Sequence, residues 1–180
     1  MINTGLKCVE DVFRVGLGWR NLSTETSIFY QKMEADYYRY KLEILLYRNS
    51  EAKLAGNEVD QTEVNELIKD TKMIYIQTCE ECEQLETTNP LRLGLYLNYG
   101  VFLYECCDLI EDARFVLKKC FDEAIKNLER LNEKELNNTL PPLQAIKDNY
   151  ELWGMDVLSD KKKAEIALLE EQARVNALKQ

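Results

Sequence analysis

The 180 residues include 46% hydrophobic and 31% charged side chains, enough apolar material for one domain to bury a real core and too much for wholesale disorder. A formal charge of −9 disfavours general nucleic-acid binding, which needs a basic footprint. The complete absence of histidine removes the usual acid–base group near neutral pH and makes most hydrolases and His-ligated metal sites poor expectations.

In chain order, Leu6, Val9, Val12 and Phe13 stand at helical spacing before Gly16 and Gly18 interrupt them. Glu10 and Asp11 break the apolar stretch that a signal peptide would need, and no 18-residue apolar run exists anywhere. The expectation is a cytoplasmic chain with no membrane association, its six cysteines reduced. After the polar loop "NLSTETS", with Thr24 or Thr26 as N-cap, a long helix is predicted from about Glu25 to Ala55, ended by Gly56. Asp60 or Thr62 opens the next helix, through about Leu85. Asn89 then caps a helix with Pro90 in its first position, running to Cys107. A further helix is read over 111–131. "NNTLPPL" is read as the start of another, with Thr139 as cap and both prolines in the first turn, ending at Trp153-Gly154. The last 22 residues read as an amphipathic helix after Ser159.

No strand pattern emerges. The predicted fold is all-α, an antiparallel bundle or α-solenoid of about six to seven helices, with residues 1–157 as one helical domain and 158–180 as a helical tail. The small/large alternation in "DARFVLKKCFDEAI" suits a tetratricopeptide-like scaffold, but no 34-residue period follows it.

Two predicted faces combine apolar residues with an amide. Asn98, Val101 and Glu105 are spaced i, i+3, i+7, and Ala145, Asn149 and Leu152 are spaced i, i+4, i+7. An asparagine can donate and accept at once, which suits either gripping an extended peptide backbone or cross-linking helices. In "EADYYRYKLE", Arg39 offers a planar, permanently charged fork and Tyr40 a neutral donor about 100° around the helix, so the two can converge on an anion. Asp36 alternatively holds Arg39 as an intrahelical pair. Cys79 and Cys82 form a lone C-x-x-C inside a helix; with Cys106 and Cys107 they fit no common zinc module and are read as buried small hydrophobes.

Three long segments, "FYQKMEADYYRY" (29–40), "TNPLRLGLYLNYGVFLYE" (88–105) and "FDEAIKNLERLNEKELNNTLPPLQAIKDNYELW" (121–153), resemble the 14-3-3 family in order and separation. The similarity covers about residues 25–155, and "KCVEDVF" is fainter, similar to the end of that family's fourth helix. The resemblance implies a dimeric, cytosolic, all-α adaptor, not an enzyme and without a cofactor or metal, that binds phosphoserine or phosphothreonine segments of phosphorylated client proteins. Matched by motif, it makes Arg39 and Tyr40 phosphate ligands and Asn98 and Asn149 holders of the peptide backbone. Leu97, Val101, Glu105, Leu152 and Trp153 then line the groove, with Ala145 standing where the family has leucine. The family's earlier helices, which build its dimer and add a lysine and an arginine to the phosphate cluster, have no counterpart in these residues. The expectation is therefore a weakened phosphate site and a monomer or a dimer formed by another surface. The alternative is a structural or regulatory helical protein that keeps the fold without phosphate binding.

Overall fold

The computed structural model describes residues 22–59 and 61–154, and these fold into five α-helices and one 3₁₀ turn. They are α1 (Thr24–Leu54), α2 (Thr62–Cys82), α3 (Pro90–Glu105), α4 (Ile110–Ile125), the 3₁₀ turn Leu128–Arg130, and α5 over 133–154. The all-α class is as the sequence predicts. The helices expected before residue 22 and after residue 158, and the boundary between body and tail, lie outside the described residues.

Helices α1, α2 and α4 each bury a seam built of three- and four-residue steps. Ile28, Ala35 and Leu42 recur every seven residues on α1, facing Val64, Leu67, Thr71, Tyr75, Thr78 and Cys82 on α2. Cross-helix bonds fix the direction of this pair. Gln31 Nε2 donates to Glu81 at 2.7 Å, the Tyr75 hydroxyl donates to Asp36 at 2.8 Å, and Lys41 meets Glu63 at 3.2 Å. Residue numbers rise on α1 as they fall on α2, so the two are antiparallel. By the same logic α1 and α3 run parallel, since Asn89 donates to Glu25 and Asn98 to Asp36.

Helix α3 is central and the most apolar. It fully buries Leu93, Leu95 and Phe102 and nearly so Leu103, and its Phe102 packs with Tyr75 and Tyr99 at ring separations of 5.3 and 6.4 Å. Gly100 lets α4 approach: a β-carbon there would stand 2.6 Å from Leu117 Cδ2 and 2.9 Å from its Cγ. Helix α4 returns antiparallel, its end marked by Glu123 beside Arg92 and Asn127 bonded to Thr87. Helix α5 runs parallel to α3, with Thr139 bonded to the Thr88 carbonyl at 2.9 Å and Trp153 stacked on Tyr104 at 4.5 Å.

The helix ends follow local chemistry, with one clear correction. Asn89 caps α3 by accepting from Leu91 N–H at 2.8 Å, with Pro90 next to it, and Gly56 takes φ +80° just past α1. The α1 cap is Ser23 rather than Thr24 or Thr26. The α2 helix stops at Cys82, three residues early, and α4 stops at Ile125 before the 3₁₀ turn rather than running to Leu131. The correction concerns α5, which starts six residues before Thr139. Asn132 and Glu135 form a reciprocal capping box, each side chain accepting from the other's backbone N–H at 3.0 Å. That pair satisfies two end donors at once, and the helix continues straight through Pro141 and Pro142. Thr139 is no cap; it is buried and bonds across to the turn that precedes α3.

Candidate functional site

Helix α1 carries Lys32, Asp36, Arg39 and Glu43 on one face at spacings of four, three and four residues, with Tyr40 next to Arg39. Asp36 is the hub. Its buried carboxylate accepts from Lys32 Nζ at 2.6 Å, from the Tyr75 hydroxyl at 2.8 Å, and from Asn98 Nδ2 at 2.9 Å to each oxygen. One side chain from each of three helices thus converges on one acid. Burial in the first place, and then the Asp36 carboxylate, push the Tyr75 hydroxyl far above its ordinary range, so it stays a neutral donor.

Arg39 is 8% exposed. Its Nη1 donates to Glu43 one turn on, its guanidinium lies 4.5 Å over the Tyr40 ring, and its Nε is buried without a hydrogen-bond partner. Asp36 therefore does not hold Arg39; that acid is taken by Lys32, and Glu43 is the arginine's partner. Burial pulls the guanidinium's pKa down, but Tyr75, Glu43 and Tyr40 outweigh it and leave the value raised. The cation is permanent. Tyr40 itself is exposed and meets Tyr37 edge-on at 6.3 Å.

On α3, Leu97 and Val101 are half-buried against the core while Glu105, the last residue of the helix, is exposed. On α5, Asn149 Nδ2 donates to the Ala145 carbonyl at 2.9 Å, and Leu152 is exposed. Trp153 is buried, its ring parallel to Tyr104 within 9°. The structure thus ties Asn98 to α1 through the Asp36 hub, with Arg39 and Tyr40 three and four residues further along that helix. It joins Leu152 and Trp153 to the Glu105 end of α3 through the Tyr104 stack, with Asn149 one turn back along α5.

Three participants were not singled out from the sequence. The pairs Lys32–Asp36 and Arg39–Glu43 are ordinary i, i+4 ion pairs and their spacing carried that signal. Tyr75 gave none, because its contact spans 39 residues. The described cysteines are free thiols and all but Cys107 are buried. Among the described residues no three His, Cys, Asp or Glu side chains are grouped to hold a metal, and no helix is long and apolar enough to cross a membrane.

A family model described as 14-3-3 protein matches residues 16–154. The chain is 38% identical over 129 residues to a 14-3-3 protein homolog of Encephalitozoon cuniculi (strain GB-M1), covering 72% of this chain and 45% of the relative. It is 38% identical over 141 residues to 14-3-3 protein 9 of Solanum lycopersicum, covering 78% and 49%. With 14-3-3 protein eta of Homo sapiens the identity is 35% over 132 residues, covering 73% and 48%. The chain spans about half the length of these relatives. With the matched region running through all five described helices and the Arg39–Asn98 face, the chain belongs to the 14-3-3 family.

Proposed function

We propose that this chain is a cytoplasmic, non-enzymatic adaptor that binds phosphoserine or phosphothreonine segments of phosphorylated client proteins, and that it binds them weakly. One observation carries the reading: a buried arginine head is set beside an exposed tyrosine on the helix face that also orients Asn98. A guanidinium presents paired donors to phosphate, the Tyr40 hydroxyl adds a neutral one, and an amide held by Asp36 is positioned for a peptide backbone. The weakness follows from the occupied state of the site. Glu43 already engages Arg39, and a phosphate must displace it to reach Nη1.

That same ion pair favours a second reading, in which Arg39 serves only the fold. Fluorescence polarisation with a labelled phosphoserine peptide and its unphosphorylated twin separates the two. The expected result is measurable binding of the phosphopeptide alone, lowered in Arg39→Ala by the loss of a charge-assisted bond of about 1.5–3 kcal/mol, roughly tenfold to a hundredfold. Equal behaviour of the two peptides at millimolar concentration would establish the structural reading instead.

A further inference from the structure

We propose that Glu43 is a built-in carboxylate competitor that makes the Arg39 site selective for phosphate over carboxylate ligands; the inference rests on the phosphopeptide reading above. The geometry puts the two partners in unequal surroundings. The Arg39 side chain is 10% exposed and the Glu43 side chain 34% exposed, so the acid covers the approach to Nη1 from the solvent side and can swing out into water. Lys32 is bound to Asp36, and the Tyr75 hydroxyl, also within electrostatic reach of Arg39, donates to that same acid. Glu43 is thus the group that yields.

A peptide glutamate or aspartate brings to Arg39 the same group that Glu43 already supplies. It exchanges one monoanionic carboxylate for another, and the resident one is tethered a single turn away at a high effective concentration. Such a ligand gains nothing. A phosphate carries a charge of about −1.5 to −2 and three acceptor oxygens. It replaces the Glu43 bond and has oxygens left for the Tyr40 hydroxyl. The discrimination between phosphoserine and its acidic mimics therefore resides in Glu43 as much as in the cation.

Glu43→Gln tests this, since it keeps the side chain's size and removes its charge. The probes are a short phosphoserine peptide, the same peptide with glutamate in place of phosphoserine, and the plain serine peptide. Their binding is followed by polarisation and by the ¹⁵N-shifted Nε–H signal of Arg39. Glu43→Gln is expected to bind the phosphopeptide roughly tenfold tighter, about 1.4 kcal/mol, and to acquire binding of the glutamate peptide that the unmodified chain lacks. A gain of affinity cannot arise from misfolding, and Glu43→Asp, with a shorter reach to Nη1, is expected to move in the same direction. Phosphopeptide binding that depends on Arg39 but is no tighter in either Glu43 variant overturns the competitor role alone. Absence of any phosphate response in the unmodified chain and in Glu43→Gln overturns the phosphopeptide reading along with it.

Discussion

Arg92 is the second arginine buried among the described residues, and its removal is expected to be strongly destabilising. The side chain is 4% exposed. Nη1 donates to the carbonyls of Cys82, Glu83 and Leu85 at 3.4, 3.3 and 2.9 Å, which cap the end of α2 and the turn after it. Nη2 bridges Glu83 at 2.8 Å and Glu123 of α4 at 3.2 Å. Truncation to alanine leaves the two carboxylates partly solvated, so their loss costs little. The carbonyls lose their donor in a confined turn, and the short Leu85 bond alone is worth about 1–3 kcal/mol when its acceptor is left unsatisfied. Adding the lost contact of the guanidinium with the Tyr96 ring, 5.8 Å from its centroid, about 3 kcal/mol is expected for Arg92→Ala. With a urea m-value of about 1.5 kcal/mol/M, that lowers the unfolding midpoint by about 2 M. Urea titration followed by circular dichroism at 222 nm reads the shift directly. Arg92→Lys keeps the charge without the fork and is expected to fall between. A loss of under 1 kcal/mol (about 0.7 M) for the alanine variant would refute the argument that this arginine holds the end of α2.

Gly100→Ala should destabilise by about 1–3 kcal/mol although alanine is the better helix former, because the new methyl would overlap the Leu117 side chain. Leu117→Val combined with Gly100→Ala should recover part of that loss, and strict additivity in the double-mutant cycle would contradict the overlap. Alkaline pH should also weaken the fold. Burial pushes the thiol pKa of Cys106 and Cys120 up to about 12 and that of Cys82 up to about 11, whereas in the unfolded chain they titrate near their usual value of about 8.5. Their folded pKa values are raised, so their contribution is fully present below pH about 8.5 and is lost as pH rises toward the folded values, at up to about 1.4 kcal/mol per pH unit for each thiol. Urea midpoints measured under reducing conditions should fall between pH 8 and pH 10.5; a flat profile would count against burial of these thiols.

What was readable in advance divides by distance along the chain. Asn89-Pro90 and Gly56 act within a few residues of themselves, and the starts and stops they mark are where the structure has them. The start of α5 was equally local but two signals competed. Thr139 with two prolines suggested a beginning, and Asn132 with Glu135 is the stronger one, because it satisfies a backbone donor at each end of the box. For Arg39 the sequence suggested the acid at i−3, whereas its partner is Glu43 at i+4. The choice depends on Asp36 being claimed by Tyr75 and Asn98, residues 39 and 62 positions away. Arg92 is the extreme case. Nothing in its neighbourhood distinguishes it from a surface arginine, and its role exists only once α2, α3 and α4 are assembled.

The convergence of three helices on Asp36 has a consequence for how loss-of-function variants of this face will be interpreted. Asp36 supplies no group that an anion would seek, yet without its carboxylate Lys32, Tyr75 and Asn98 lose the acceptor that orients them together. On the proposed reading, a substitution there silences recognition without touching the ligand. Asn98 has the converse ambiguity, being both tie-rod and candidate contact. A scoring of this surface by inactivity alone would rank the keystone above the residues proposed to grip the ligand.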